Sequence, residues 1–402
     1  MSFRRAARPV LVGPRSLRPM LAAIAVLCLA GQFISCSGNG KLPTTGTGNT
    51  AYLTLPNAGS ILQLHIDGAT GAVALQGSTT EYRGTTPYGL ALAPKKNFLY
   101  VANSQSNNIS TFSIAGDGSL SLVCVAPPVC GTSDGATGPY AALIDPTGQY
   151  LLVTNSGLPG SVSVFSIDSS TGALTAVSGS PFYANDSPSE IVMPPAGNLV
   201  YVSNPSSGMV TGFTFDAATG ALTEVAGSPF FSGAGAIALA IDNSGQFLYV
   251  ANTSATNSNS DVIGNISGFS INANGGLQII AGSPFAPEIG SGPSTLVAVP
   301  NSSFLYATTP GSSYSIWAFE INSSNGQLTV PSQSPFSQTA GGQFALIDTN
   351  GSYFFIGNEE SDEIAAYTYD SNTGQPTAVL NSPFSISISG QAQVPGKMVI
   401  VP

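Results

Sequence analysis

The chain is predicted to be all-β, a seven-bladed β-propeller with four-stranded blades. Residues 149–182 contain three short β-prone runs, YLLVTN, SVSVFSID and ALTAV, separated by turns rich in Ser, Gly and Pro. The same pattern recurs with a mean spacing of about 51 residues. Because one copy cannot bury both faces of its sheet, the copies must pack on one another.

Each unit is expected to begin with an inner strand of small apolar residues, such as GLALAP, and to end with an outer strand. The second strand of each unit ends on an anchor residue. The anchors are Asn57, Asn103, Asn155, Asn204, Asn252, Thr309 and Asn358, and seven anchors indicate seven units. Phenylalanines that follow Ser-Pro after the outer strand are predicted to plug the gaps between units. They are Phe182, Phe230, Phe285, Phe336 and Phe384.

The two ends of the repeat region predict how the ring closes. The first unit starts at AYLTLPN and lacks an inner strand, whereas residues 396–402, GKMVIVP, match an inner strand with nothing after it. The C-terminal strand is therefore predicted to complete the first blade, which removes free sheet edges. We assign residues 51–402 to one propeller domain.

Residues 1–35 are predicted to be a signal peptide of the lipoprotein type, and residues 36–50 a flexible tether. Five arginines precede an apolar run from Met20 to Ala30, which is too short for a comfortable membrane span. The segment FISCS resembles a bacterial lipobox, which makes Cys36 the expected lipidation site. The alternative is cleavage after Ala30, with Cys36 a spare thiol. We expect an exported protein of the bacterial cell envelope, in the periplasm or on the outer surface.

Charge and cysteine content narrow the partners further. Without residues 1–35 the chain keeps five basic residues against 20 acidic ones, a formal net charge of −15. Such a chain repels nucleic acid and anionic lipid, so we expect no nucleic-acid partner and membrane contact only through the lipid anchor. Cys124 and Cys130 are predicted to form a local disulfide in an oxidising compartment, the alternative being two free thiols.

The strand ends YVAN, LVTN and YVSN, with DPTGQYLLVTN and STGALT, are similar to the YVTN-repeat and lactonase-type seven-bladed propellers, a group that includes 6-phosphogluconolactonase. The resemblance covers residues 51–402 and implies a lactone-ring hydrolase. Lactonase-type members often carry Gly-Pro-Arg-His where an inner strand begins, but residues 138–141 and 292–295 have neither Arg nor His. Arg83 is the only arginine after the signal, which makes a poor phosphosugar site, so we reject 6-phosphogluconolactone as substrate.

Alignment of the repeats identifies the residues that open the inner strands, at the mouth of the central channel. The predicted substrate-binding residues are Arg83, Tyr88, Tyr140, Ser189, Ser294 and Gln343. The next position holds Glu190 and, in the first blade, Lys397. Glu190 is the predicted catalytic base, because the resemblance places histidine there and a carboxylate serves as base when burial raises its pKa. The alternatives are that Glu190 only opens a strand and that the tyrosines only pack.

The remaining carboxylates fall into two groups. Eight aspartates are predicted to form turns, namely Asp67, Asp117, Asp145, Asp168, Asp216, Asp242, Asp348 and Asp370. Eight acidic residues fall in loops on the mouth side, namely Glu81, Asp134, Asp186, Asp261, Glu288, Glu359, Glu360 and Asp362. An acidic mouth favours Ca²⁺ or a cationic ligand, and the alternative is scattered solvated charge. His65, the only histidine, is predicted to be an inert surface residue.

Two classes of function remain open. The first is an exported lactonase-like hydrolase that uses carboxylates, with Ca²⁺ polarising the lactone carbonyl. The second is a non-catalytic ligand-binding or cell-surface propeller. The expected partner is a small-molecule lactone or glycan, or a component of the cell envelope, and the protein is expected to be a monomer.

Overall fold

The structure, a computed structural model, describes residues 48–78, 84–123, 133–254, 263–289, 292–310, 315–337, 342–358, 361–388 and 393–401. Every regular element in these ranges is a β-strand. None of the described residues belongs to a helix long and apolar enough to cross a bilayer. The first strand begins at Gly48, just ahead of the domain start predicted at residue 51.

The strands follow one another blade by blade along the chain. Blade 1 holds β1 (Gly48–Leu55), β2 (Ser60–Asp67) and β3 (Val73–Ser78), and blade 2 holds β4 (Pro87–Leu92), β5 (Phe98–Asn103), β6 (Asn108–Ile114) and β7 (Leu120–Val123). Blade 3 holds β8 (Pro139–Ile144), β9 (Tyr150–Asn155), β10 (Ser161–Ile167), β11 (Leu174–Ala176) and β12 (Phe182–Tyr183). Blade 4 holds β13 (Ile191–Val192), β14 (Leu199–Asn204), β15 (Met209–Phe215), β16 (Leu222–Glu224) and β17 (Phe230–Phe231). Blade 5 holds β18 (Ala236–Ile241), β19 (Phe247–Asn252), β20 (Gly264–Ile271), β21 (Leu277–Ile279) and β22 (Phe285–Ile289). Blade 6 holds β23 (Thr295–Ala298), β24 (Phe304–Thr308), β25 (Ser315–Ile321), β26 (Leu328–Thr329) and β27 (Phe336–Ser337). Blade 7 holds β28 (Gly342–Ile347), β29 (Phe354–Asn358), β30 (Glu363–Tyr369), β31 (Pro376–Ala378) and β32 (Phe384–Ser385), and β33 (Met398–Val401) completes blade 1.

Each blade is an antiparallel sheet with four strand positions, and in blades 3 to 7 the outer position is divided into two short strands. In blade 3, β11 and β12 both pair with β10, one at its end and the other at its start. Where the outer strand is interrupted, the N–H of Val164 donates to Ser180 Oγ over 2.9 Å. The serines of the other four Ser-Pro-Phe motifs, Ser228, Ser283, Ser334 and Ser382, accept in the same way. The motif therefore satisfies a third-strand N–H that the broken outer strand leaves without a partner.

The hydrophobic core lies between the blades. Among the described residues, buried side chains form seven clusters, and each cluster joins one pair of neighbouring blades around the ring. The second strands β5, β9, β14 and β19 are buried along their whole length, because neighbouring blades cover both of their faces. Four of the predicted phenylalanine plugs, Phe182, Phe285, Phe336 and Phe384, pack in or against these clusters. The predicted role between blades is confirmed for these four.

Buried tyrosines at one position of the second strand bind the backbone of the following blade. Their hydroxyls donate to glycine carbonyls in the turn before the outer strand. The pairs are Tyr52–Gly118, Tyr201–Gly275, Tyr249–Gly326 and Tyr306–Gly374, with donor–acceptor distances between 2.6 and 2.8 Å. Tyr100 occupies the same position in blade 2, but no described group accepts a hydrogen bond from its buried hydroxyl.

The ring closes as the sequence predicts. The C-terminal β33 pairs antiparallel with β1, with Thr50 opposite Val401 and Leu53 opposite Met398. Side chains of blade 7, including Phe355, pack with Leu64 and Ile400 of blade 1 in one cluster. The first predicted anchor differs from the others, because β1 ends at Leu55 and Asn57 lies in the turn that follows.

The eight turn aspartates are confirmed as turn formers. Each accepts hydrogen bonds from N–H groups of its own turn. Hydroxyl and backbone N–H donors lower the pKa of four of these carboxyls below the ordinary value, because the donors stabilise the ionised form. The four are Asp67, Asp168, Asp216 and Asp370.

Candidate functional site: the channel mouth

Three strand ends of each blade meet at one edge of the ring. In blade 3, Pro139 at the start of β8 lies opposite Asn155 at the end of β9, which lies opposite Ser161 at the start of β10. The residues that open the inner strands of all seven blades therefore lie at this edge, around the channel. We use "channel mouth" for Tyr88, Tyr140, Ser189, Glu190, Ser294, Gln343 and Lys397.

Hydroxyl groups of the second strands fix the backbone of the channel mouth. The backbone N–H of Lys397 donates to Thr54 Oγ1 over 2.9 Å, and Thr54 Oγ1 donates to the carbonyl oxygen of Tyr88 over 3.0 Å. Each such relay links one blade to the next. The relays are Lys397–Thr54–Tyr88, Ala141–Thr154–Ser189 and Glu190–Ser203–Ile237. The backbone that carries the opening side chains is thus held by hydrogen bonds that are buried or partly buried.

Two aromatic rings of the channel mouth stack on each other. The ring centroids of Tyr88 and Tyr140 are 4.1 Å apart, with an interplanar angle of 25°. Gln343 Nε2 donates to the Tyr88 hydroxyl over 2.6 Å, so groups from blades 2, 3 and 7 meet here. The two rings contact each other, which matches the packing alternative and leaves sugar stacking a prediction.

Tyr140 keeps its proton across the physiological range. Burial raises the pKa of Tyr140 well above the ordinary tyrosine value, and the neighbouring Tyr88 and the charge of Glu190 act in the same direction. Ser189, which is itself buried, opposes them by hydrogen bonding. The Tyr140 hydroxyl therefore acts as a hydrogen-bond donor and not as a base.

An ion pair joins opposite parts of the channel mouth. Lys397 Nζ, from blade 1, lies 2.8 Å from Glu190 Oε2, from blade 4, and the two side chains are 29% and 26% exposed. Burial acts to lower the pKa of Lys397, but the charge and hydrogen bond of Glu190, together with Tyr88, outweigh it and raise that pKa. Lys397 is therefore charged at neutral pH. Within the described residues, Glu190 Oε1 and two Nζ–H bonds of Lys397 have no hydrogen-bond partner.

The structure brings five of the predicted site residues together, and a sixth, Ser294, bonds to the backbone beside one of them. Tyr88, Tyr140, Ser189, Glu190 and Gln343 form a continuous set of contacts. Ser294 uses its hydroxyl on the backbone, because its Oγ donates to the carbonyl oxygen of Gly342 over 2.7 Å. Arg83, Cys36, Cys124 and Cys130 lie outside the described residues.

The sequence prediction omitted Lys397 from the site. The signal was present, because Lys397 occupies the same repeat position as Glu190 and is the only basic residue among the seven equivalents. The missing information was the distance, since residues 207 positions apart in the chain carry no sequence evidence of contact.

The anchor asparagines bind side chains of their own blades. Their Nδ2 groups donate to hydroxyls of the third strand. The pairs are Asn103–Ser110, Asn155–Ser163, Asn204–Thr211 and Asn252–Ser267. These bonds stay within one blade, so the asparagines hold the second and third strands together and do not form a polar ring around the channel.

Only some of the acidic residues predicted at the mouth lie within the described ranges. Asp134 accepts hydrogen bonds from Ser163 Oγ and Ser180 Oγ, and Asp362 accepts one from Ser385 Oγ. Nowhere in the described ranges do three His, Cys, Asp or Glu side chains come together as a metal site. Glu81, Asp261, Glu359 and Glu360 lie outside those ranges.

The described residues form a seven-bladed propeller with a polar, charge-paired channel mouth. A family model described as "Lactonase, 7-bladed beta-propeller" matches residues 23–124, 115–237 and 264–386. The chain therefore belongs to the lactonase family of seven-bladed β-propellers. Curated proteins gave no match.

Solved structures share the fold at low sequence identity. A periplasmic gluconolactonase of Pseudomonas aeruginosa is 18% identical, with a TM-score of 0.71 over 89% of this chain and 99% of that chain. A Bacteroides fragilis protein, provisionally assigned as a 6-phosphogluconolactonase, is 18% identical, with a TM-score of 0.73 over 90% of this chain and 99% of that chain. At these identities the likeness shows the fold alone.

Proposed function

We propose that the protein is a lactone-ring hydrolase of the bacterial cell envelope whose reaction centre is the channel mouth. The observation that carries the proposal is the Glu190–Lys397 ion pair beside the stacked Tyr88 and Tyr140 rings. A carboxylate, an ammonium group and a phenol at one mouth supply a base, an oxyanion partner and a hydrogen-bond donor. Membership of the lactonase family supports the same reaction class.

The residues divide the hydrolysis into two steps. Glu190 accepts a proton from water as the water oxygen forms a bond to the lactone carbonyl carbon, and the spare N–H bonds of Lys397 stabilise the oxyanion that forms. The ring C–O bond then breaks, the carbonyl re-forms, and the proton held by Glu190 passes to the departing ring oxygen. One water is consumed and one hydroxy acid is released. Tyr140 orients the substrate by donating a hydrogen bond.

The substrate class follows from charge. We propose an unphosphorylated sugar or aryl lactone, because the described channel mouth has one lysine, already paired with a carboxylate, and phosphate recognition needs more donors than this. The family's Arg-His pair is absent from the matching sequence positions, so Glu190 and Lys397 take the two roles in this proposal. Ca²⁺ bound by acidic loops would polarise the carbonyl further.

Turnover of lactones by the purified domain tests this function. Wild type should hydrolyse gluconolactone or dihydrocoumarin above the spontaneous rate, and Glu190→Gln should lower kcat/KM about 100-fold or more. Glu224→Gln is the matched control, because Glu224 is an exposed carboxylate on the outer strand β16 of the same blade. Assays with Ca²⁺ and with a chelator test the metal. Equal turnover in wild type and Glu190→Gln would remove Glu190 from the mechanism.

The alternative is a propeller that binds a glycan or envelope component without catalysis. The self-stacking of Tyr88 and Tyr140 and the internal pairing of Glu190 favour it, because these groups already satisfy one another. Absence of turnover on every lactone, together with retention on a glycan or peptidoglycan array, would establish the binding function instead.

Export on a lipid anchor is part of the same proposal. Cys36→Ser should move the protein from the membrane fraction to the soluble fraction, because acyl chains on Cys36 are the proposed anchor. Fractionation followed by immunoblotting measures this. Continued sedimentation of the variant with membranes in high salt would contradict lipidation at Cys36.

A further inference from the structure

We propose that a cleft between blades 2 and 3, at the end of the ring opposite the channel mouth, binds a small organic carboxylate. The cleft has a volume of about 280 Å³. It is lined by the turn that joins β4 to β5, which includes Ala93, Lys95 and Phe98, and by residues of blade 3. The volume suits a molecule smaller than a typical drug-sized ligand.

The repeat shows what is missing from this turn. In blade 3, Asp145 Oδ1 accepts hydrogen bonds from the N–H groups of Gln149 and Tyr150, over 2.8 and 2.7 Å. Asp242 in blade 5 and Asp348 in blade 7 bind the equivalent N–H groups in the same way. Blade 2 carries Ala93 at this position, and Ala93 faces the cleft.

Two backbone donors of blade 2 are therefore left for an external carboxylate. The Ala93 carbonyl accepts the N–H of Lys96 over 2.7 Å, as the Asp145 carbonyl accepts Gly148 over 2.9 Å, so the turns share one geometry. No acceptor among the described residues reaches the N–H of Asn97 or Phe98, and both residues line the cleft. In the Asp-bearing blades these two donors hold a carboxylate oxygen, so a ligand carboxylate fits the vacated position.

Two lysines lie at the same turn, and one of them, Lys95, brings its charge to the cleft. Lys95 lines the cleft, and Lys96 follows it with a φ of 57°. Blades 3, 4, 5 and 7 carry glycine where blade 2 carries Lys96, and that position has φ between 67 and 74° in all four. A lysine in the left-handed region is less favourable than glycine, which makes this position a candidate for function. The turn thus holds two of the three lysines in the described ranges, in a strongly acidic chain.

The other walls indicate the rest of the ligand. Ile167 and Phe98 supply apolar surface, while Thr147, Gln149 and Ser169 supply hydroxyl and amide groups. This combination suits a short carbon chain that bears hydroxyl groups, so the ligand class is a small hydroxy acid. The carboxylates of the adjoining turns, Asp145 and Asp168, already accept hydrogen bonds from their own turns. The site is independent of the reaction proposed at the channel mouth.

Saturation-transfer NMR of sodium lactate, with its uncharged amide as the comparison, tests the cleft. Lactate should show transfer from the wild-type protein, whereas lactamide should not. Ala93→Asp supplies the missing internal carboxylate and should weaken lactate binding at least tenfold. Val299→Asp is the matched control, because Val299 holds the equivalent position in blade 6, which lacks both lysines. Val299→Asp should leave lactate binding unchanged.

Three results would overturn the proposal. The first is an absence of lactate transfer in the wild type, and the second is equal transfer in wild type and Ala93→Asp. The third is displacement of lactate by phosphate at the same concentration as by unlabelled lactate, because that would mean unselective anion binding. Melting temperature shows that each variant is folded, and Ala93→Asp should melt at or above the wild-type temperature, because its carboxylate accepts the two free N–H bonds. Lys95→Met, on the exposed rim, should weaken binding without lowering the melting temperature.

Discussion

The inter-blade core and the channel mouth are built from the same repeat but use it in opposite ways. In the core, equivalent positions do the same thing in successive blades, as the second-strand tyrosines do when they donate to glycine carbonyls of the next blade. At the channel mouth, equivalent positions carry different groups, so that a lysine of one blade meets a glutamate of another. Repetition builds the frame, and departures from repetition supply the chemistry.

The difference has a physical cause. The size and shape of a core side chain must match the space between two blades. Because these spaces are similar around the ring, similar residues recur in them. A side chain at the channel mouth contacts residues from several blades, because seven strands converge there. The backbone beneath it is fixed by hydroxyl relays such as Thr54, so its side chain changes without loss of the frame. The cleft between blades 2 and 3, at the opposite end of the ring, also depends on a departure from the repeat, because Ala93 stands where three other blades carry aspartate.

Removing residues 396–402 should have the largest effect, because it damages both regions. The deletion removes β33, with its buried Met398 and Ile400, and exposes an edge of β1. We expect a loss of about 5 kcal/mol or more of unfolding free energy, measured by denaturant titration. Addition of the peptide GKMVIVP in trans should restore part of it. An unchanged melting temperature would contradict closure of the ring by β33.

Removing one tyrosine hydroxyl from the core should have an intermediate effect. Tyr201→Phe deletes the donor to the Gly275 carbonyl and leaves that acceptor buried, so we expect a loss of about 1–2 kcal/mol. Tyr100→Phe is the matched control, because the Tyr100 hydroxyl has no described partner and its removal should be neutral or stabilising. Thermal unfolding of the two variants measures the difference. Equal losses would show that the hydrogen bond to Gly275 contributes nothing.

Breaking the ion pair at the channel mouth should have the smallest effect on stability. Lys397→Met and Glu190→Gln, alone and together, form a double-mutant cycle with an expected coupling of about 1 kcal/mol or less, because solvent screens a pair that is partly exposed. Increasing salt should reduce the coupling further. A coupling energy several times larger would show that the pair mainly stabilises the fold, and it would weaken the case for a reactive site.

The sequence by itself determined the frame. The spacing of YVAN-like strands, the aspartate and glycine turns and the orphan strand at the C-terminus predicted seven blades, their inter-blade packing and the closure of the ring. The eight turn aspartates and four of the five phenylalanine plugs were also predicted correctly. Apart from ring closure, which the incomplete first unit and the extra last strand indicate, these features depend on contacts within one repeat or between consecutive repeats. Such contacts recur in the sequence often enough to be recognised.

Only the tertiary structure decided which mouth residues meet. The repeat numbered Glu190 and Lys397 as equivalents in different blades, but their 2.8 Å contact depends on the angle at which the two blades face each other. The same is true of Gln343 and Tyr88, and of Ser294, whose hydroxyl is used on the backbone. The bonds from third-strand N–H groups to the Ser-Pro-Phe serines were not predicted either. Side-chain contacts across a channel leave no periodic trace along the chain, because they join positions that are distant in sequence and occur once.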